Sequence, residues 1–211
     1  MAKKIKDENG NVYVQKKPFY KRFWFWLLVV IVILVGGGMA GHGGRSKNSS
    51  TSLSTQTSKV NQKNFDKIKI SDSDGTSKEE VKKLFDKKPS STSTQTIQGQ
   101  TADMQVWKGS AIGSSVSVGF VNGHAISKGI SGLDGSKKVT SKQFDSINNG
   151  MTQDQVQKAL GTPAGKTYSS LMGQTSELWQ YNGKGDLGAN LTINFTHGAV
   201  SGKAQTGMNN N

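Results

Sequence analysis

Gly150-Met-Thr-Gln-Asp-Gln-Val-Gln-Lys-Ala-Leu-Gly-Thr-Pro163 spells a short helix with both ends marked. Thr152 is a good N-cap, because its side-chain oxygen can accept a hydrogen bond from a free amide of the first turn. Gln155, three residues on, completes a capping box. Val156 and Leu160 are four apart and share one face. Gly161 can take the left-handed conformation that ends a helix, and Pro163 prevents continuation.

The same arrangement stands earlier in the chain, in Gly75-Thr-Ser-Lys-Glu-Glu-Val-Lys-Lys-Leu-Phe85. Its capping pair is Ser77 and Glu80, and its apolar pair is Val81 and Phe85. Asp86 occupies the place of Gly161, so this helix should stop less sharply. Further matches keep the same order. Phe65-Asp66-x-Ile68 answers Phe144-Asp145-x-Ile147, and Ile97–Gly109 answers Leu171–Gly183. Val116–Gly123 answers Leu191–Gly198, and Pro89 and Pro163 precede Ile97 and Leu171 by the same interval. These matches predict two diverged copies of one unit.

Each copy should open helix–turn–helix, with Phe-x-x-Ile as the shorter helix. The apolar period then changes to two. Val116, Val118 and Phe120 alternate with other residues, as do Leu191, Ile193 and Phe195. Asn122-Gly123 is a strong two-residue hairpin signal, and His197-Gly198 takes its place in the second copy. The expected fold class is therefore α+β. Each copy has two helices covering an antiparallel meander of about four strands, and the two copies pack together.

The chain of 211 residues carries 27 Lys and Arg against 14 Asp and Glu, and has no Cys. No disulfide, thiolate metal site or lipid-modified cysteine is possible. Between Phe23 and Gly44 there is no charged residue, and Phe23–Val35 is apolar throughout. Roughly 20 helical residues span a bilayer's hydrocarbon, so 23–41 is expected to be a transmembrane anchor. Trp24 and Trp26 stand at one end, as interfacial aromatics do. Seven Lys and Arg against Asp7 and Glu8 keep the tail, 1–22, in the cytoplasm and place the rest outside the cell. Gly38-Met39-Ala40 has the small residues that a signal peptidase accepts, so cleavage after Ala40 is the alternative to a retained anchor. The linker, 42–62, is rich in Ser and Thr and buries too little to fold. Gly36-x-Gly38-x-x-Gly41 matches a dinucleotide fingerprint only in letters, with no strand–helix context. The two outer units should run over 63–134 and 139–208.

The run "INNGMTQDQVQKALGTP", then "ELWQYNG", then "LTINFTHGAVSGKAQ", resembles the superfamily that contains the β-lactamase inhibitor protein and the small SmpA/OmlA (BamE) lipoproteins. The tandem arrangement behind an anchor looks most like a domain-of-unknown-function family of lactic-acid-bacterial and streptococcal proteins with that inhibitor-like fold. The resemblance covers roughly residues 64–208. It implies a helix–loop–helix on a four-stranded sheet, twice. It also implies a concave sheet surface of the kind such relatives use to grip another protein. The matching letters are scaffold and carry no chemistry.

A search for catalytic sets yields none. His42 belongs to the membrane exit, while His124 and His197 flank different turns and read as solvated. Asp103 and Glu177 match each other across the copies and read as solvated strand-edge acids rather than an acid–base pair. Counted as a calcium loop with Gly75 sixth, "SDSDGTSKEE" puts Ile70 first and Val81 twelfth, and both ligand positions fail. No metal or cofactor is expected. Trp107, which matches Tyr181, and Trp179 beside it are the candidate partner-binding residues. Core filling is the other use of such side chains, and alternation does not say which face they occupy. Beyond Gly44 there are 20 basic and 12 acidic residues. Lys78, Lys82, Lys83, Lys87 and Lys88 cluster on and after one helix. An anionic wall polymer is one candidate partner and an envelope protein the other. The predicted topology argues against nucleic acid. The expected function is a non-enzymatic, membrane-anchored binding module using its sheet surface. The rivals are an envelope hydrolase at the junction of the copies and a passive envelope scaffold.

Overall fold

The structure is a computed structural model and describes residues 4–6, 12–14, 58–97, 100–133, 137–171 and 173–209. The chain divides into Met1–Gly44 and Arg45–Asn211. In the first unit, strands β1 (Lys4–Lys6) and β2 (Val12–Val14) pair antiparallel, with Ile5 opposite Tyr13. Segments of three residues are too short to display alternation in the sequence. The expected anchor at 23–41, and the linker as far as residue 57, lie outside the described residues. Among the described residues no helix is long and apolar enough to cross a membrane.

The second unit opens with helices α1 (Gln62–Asp66) and α2 (Lys78–Phe85). Strands β3 (Ser91–Ile97), β4 (Gln100–Lys108), β5 (Ser115–Val121) and β6 (His124–Ser131) follow. Then come helices α3 (Ser141–Asp145) and α4 (Gln153–Leu160). The chain closes with β7 (Gly165–Leu171), β8 (Gln174–Asn182), β9 (Gly185–Thr196) and β10 (Ala199–Met208).

The opening stretch forms its helix as the letters dictate, but Gly161 ends it at φ 84° and ψ −160°, outside the left-handed region expected of it. In α4, Thr152 and Gln155 make the reciprocal capping box, and Val156 and Leu160 are buried. In α2, Ser77 and Glu80 do the same above buried Val81 and Phe85. A third box, Thr140 with Gln143, starts α3. Asp86 ends α2 in the left-handed conformation, at φ 48° and ψ 38°, so that stop is not loose. The short polar side chain of Asp tolerates this conformation. The hairpin turns hold as well. Asn122-Gly123 and His197-Gly198 take positive φ at both positions, the twist that a two-residue hairpin needs.

The fold class expected from the sequence is corrected by the sheet. All eight strands form one antiparallel sheet in the order β10-β9-β8-β7-β6-β5-β4-β3. Two separate helix-plus-four-strand repeats are therefore not what forms. β6 pairs with β7 from Ser127 opposite Ser169 to Ser131 opposite Gly165. Left unpaired, both strands would present free amides and carbonyls as edges, and joining them removes both edges. The unit is mostly β, with helices of five or eight residues on one face. Two apolar clusters lie under them. Phe65, Val81, Phe85, Trp107 and Phe120 build the first, and Ile147, Val156, Trp179, Tyr181 and Phe195 the second. Tyr168 of β7 packs on the first cluster, with its ring 5.9 Å from Phe65.

Candidate functional site

Alternation assigns the two faces of the sheet. On β4, Asp103 and Trp107 reach α2 and the loop after it: Lys78 donates to Asp103, and Trp107 Nε1 donates to the Lys87 carbonyl at 2.9 Å. The alternate residues Met104, Val106 and Lys108 therefore point away from the helices. The registers carry this side across the sheet. One row runs from Lys108 through Ser115, Ser131, Gly165, Gln180 and Thr192 to Ala204. The next runs from Val106 through Ser117, Gly129, Thr167, Leu178 and Asn194 to Gly202. A third joins Met104, Gly119, Ser127, Ser169, Ser176 and Thr196. Lys108, at a strand end, is the one charge in these rows.

This helix-free face is built mostly from hydroxyls, amides and glycines, with Met104, Val106, Leu178 and Ala204 as its apolar members. Ser169 and Ser176 bond across strands at 2.7 Å, and Ser115 and Ser131 at 2.9 Å. At Gly119 the strands come close, and a Cβ there would displace the Ser127 hydroxyl. Toward β4 the face closes, and Met104 and Ser127 are buried. Toward β8–β10 it opens, with Ser176, Asn194, Thr196, Ala204 and Thr206 exposed.

The residues nominated from sequence fall on the other side. Trp107, Trp179 and Tyr181 are exposed by 0%, 2% and 1% and fill the two cores. The Phe85 ring lies tilted 5.1 Å from Trp107, and that of Phe195 4.9 Å from Trp179. All three share the helix-covered face, which settles the orientation that alternation left open. A partner cannot touch them while the unit is folded.

The nominated acids and histidines do not assemble. Asp103 is buried, against the expectation of solvated acids. It pairs with Lys78 and accepts from the Thr94 hydroxyl. Burial pushes its carboxyl pKa up, but the Lys78 and Thr94 hydrogen bonds outweigh that and hold it below the ordinary value. Glu177 accepts from Gln153 and from Trp179 Nε1. Lys78 and Gln153 are the first residues of α2 and α4, so each acid ties a strand to a helix start. Asp103 and Glu177 stand on β4 and β8, four interstrand spacings or about 19 Å apart. His124 Nδ1 lies 3.1 Å from the Gly75 carbonyl, and His197 sits in the β9–β10 turn. Among the described residues no group of His, Cys, Asp and Glu could hold a metal ion.

A groove of about 550 Å³ does open on the helix side, between the α1 exit and α4. Asp66, Lys128, Gln153, Tyr168, Glu177 and His197 line it. Its central groups serve one another. The Lys128 amine donates to the carbonyls of Phe65 at 3.1 Å and Ile68 at 2.8 Å. It also lies 4.6 Å from the Phe65 ring centre. Burial lowers the Lys128 and Lys166 pKa values and raises that of Tyr168, whose hydroxyl bonds Glu177. The groove is a polar seam between two apolar cores.

Residues 56–208 match the family described as "Domain of Unknown Function with solved-structure structure (DUF3862)", and the chain belongs to that family. Its fold is also that of a solved Streptococcus mutans protein, described as a "putative beta-lactamase inhibitor protein". The TM-score is 0.53 at 18% identity, over 71% of this chain and 99% of that one. At this identity the likeness concerns the fold alone. No curated protein matches.

Proposed function

We propose that this chain is a non-catalytic binding module that grips a protein partner across the helix-free face of its sheet, over β7–β10. The observation that carries the reading is the chemistry of that face. Beyond Gly44 the chain has a basic surplus of eight, yet the three rows hold one charge, at an end. A broad polar surface without charge presents hydrogen-bonding groups at low desolvation cost and is poorly matched to a polyanion. The fold shared with a protein described as a "putative beta-lactamase inhibitor protein" supports a protein as the partner. The apolar run at 23–35 and the basic tail before it support a single-pass anchor, with the module on the outer side of the cell membrane and an envelope protein as its target. The paired segments of the sequence support descent from a duplicated unit, as in the inhibitor-like and SmpA/OmlA-like proteins.

One observation favours a second partner elsewhere on the surface. Helix α2 and the residues to Pro89 carry Lys78, Lys82, Lys83, Lys87 and Lys88, where α4 and the residues to Pro163 carry Lys158 alone. Because α4 folds without these charges, the fold does not require them. An anionic wall polymer would be held there weakly and in a salt-dependent way.

Both readings are tested by one crosslinking pull-down. Full-length chain in detergent is offered to solubilised envelope and to purified wall, at low and high salt, beside a Gln180→Arg/Asn194→Arg variant checked for folding. A discrete protein held at high salt and lost from the variant supports the sheet-face reading. Retention by the wall alone, abolished by salt and unchanged in the variant, overturns it in favour of the lysine cluster.

A further inference from the structure

The two edges of the sheet are treated differently. β10 is blunted in the usual ways. Its register with β9 shifts twice, between Val200 and Gly202 and between Thr206 and Met208, and it carries Lys203. Bulges and lysines discourage a further strand from adding to an edge. β3 has neither. It pairs with β4 in unbroken register, from Ser91 opposite Val106 to Ile97 opposite Gln100. Its sequence, Ser-Thr-Ser-Thr-Gln-Thr-Ile, holds no charge, proline or glycine. Ser91–Thr96 are all exposed. An unbroken, neutral edge of this length leaves a row of amides and carbonyls ready for a ninth strand.

The strand also suits itself. Thr92, Thr94 and Thr96 share the helix side, where the Thr94 hydroxyl reaches Asp103. If a second β3 is laid antiparallel with Thr94 opposite Thr94, all seven residues pair. In that register Thr92 faces Thr96, and Ser93 faces Gln95. Cross-strand Thr–Thr pairs are favourable, and no like charges meet along the strand. The two-fold axis then stands perpendicular to the sheet and closes the pair, so no further strand can add.

We propose that two copies of this chain associate through their β3 edges, antiparallel and centred on Thr94, joining two eight-stranded sheets into one.

The absence of native cysteine gives a clean test. Full-length Thr94→Cys, purified in mild detergent and mildly oxidised, should become a disulfide-linked dimer, because facing residues in an antiparallel pair lie within disulfide reach. Thr92→Cys alone should stay monomeric, since its symmetry mate is about 14 Å away along the strand. Thr92→Cys mixed with Thr96→Cys should crosslink. Gln205→Cys on β10 should not. Ser93→Lys/Gln95→Lys sets lysine against lysine across the seam and should shift sedimentation from dimer to monomer, with its circular dichroism unchanged. No crosslink at 94, or equal crosslinking at 94 and 205, overturns the proposal. Ser54-Thr55-Gln56-Thr57 repeats the letters of Ser93–Thr96. A crosslink within one chain between Thr55→Cys and Thr94→Cys, with no dimer, would therefore overturn it in favour of the chain's own tether.

Discussion

Tyr181 carries a hydroxyl into a core that has no partner for it. It is the buried side-chain polar atom without a hydrogen bond among the described residues, and burial raises its pKa. Removing a buried polar group that makes no bond is neutral or stabilising. Tyr181→Phe should hold or raise the thermal midpoint, and a fall of more than about 1 kcal/mol in urea unfolding would contradict this. Asp103 is the opposite case. Its folded pKa lies below the ordinary 3.8, so its contribution is present above that pH and is lost as pH falls through the folded value. Acid unfolding followed by tryptophan fluorescence should show this limb. Asp103→Asn should be less stable at neutral pH by about 1–3 kcal/mol and should lose the limb, and equal acid slopes in both proteins would refute the pairing with Lys78. The sequence reading matched Asp103 with Glu177 across its two copies and took both as solvated, whereas Asp103 is buried. The residue that buries Asp103 is Lys78, on a helix whose docking side no local pattern states.

At the scale of elements, the five-residue helices are too short to persist alone, and strands hold them. Lys128 of β6 donates to carbonyls at the end of α1, and Lys203 of β10 donates to those of α3, 2.7 Å from the Phe144 carbonyl. Each amine also lies over a phenylalanine of its helix, Phe65 at 4.6 Å and Phe144 at 4.5 Å. Lys128→Met keeps the stem and removes the donors. It should lower stability by about 1–3 kcal/mol, read as a shift of the urea midpoint at constant slope. An unchanged midpoint would mean that water replaces the amine at no cost. These lysines were missed by sequence reading, although the signal was there. Each follows a Phe-Asp-x-Ile segment and stands on the last strand of its half. The starts and buried faces of the eight-residue helices were legible, because capping boxes and an i, i+4 apolar pair act within a single element, while the geometry of their stops was not.

At the scale of the molecule, one ladder joins everything from β3 to β10, and Tyr168 plants a second-half side chain in the first-half core. Cores linked in this way unfold together. Calorimetry on the full chain in detergent should show one transition for the second unit, with equal calorimetric and van't Hoff enthalpies. Two separated transitions would mean that the β6–β7 ladder couples the halves weakly.

Local chemistry determined what the sequence alone could determine here. Caps, two-residue turns and alternating apolar positions name the helices and the hairpins at Asn122-Gly123 and His197-Gly198, because each acts over a few residues. Pairing of β6 with β7 was not legible, because Gly, Ser and Thr interrupt the alternation in both strands and a ladder is a backbone contract between distant segments. The faces of Trp107, Trp179 and Tyr181 were not legible either, since alternation fixes which residues share a side but not which side the helices cover. Only the tertiary structure decided that the aromatics go under the helices, leaving the other face to hydroxyls and amides.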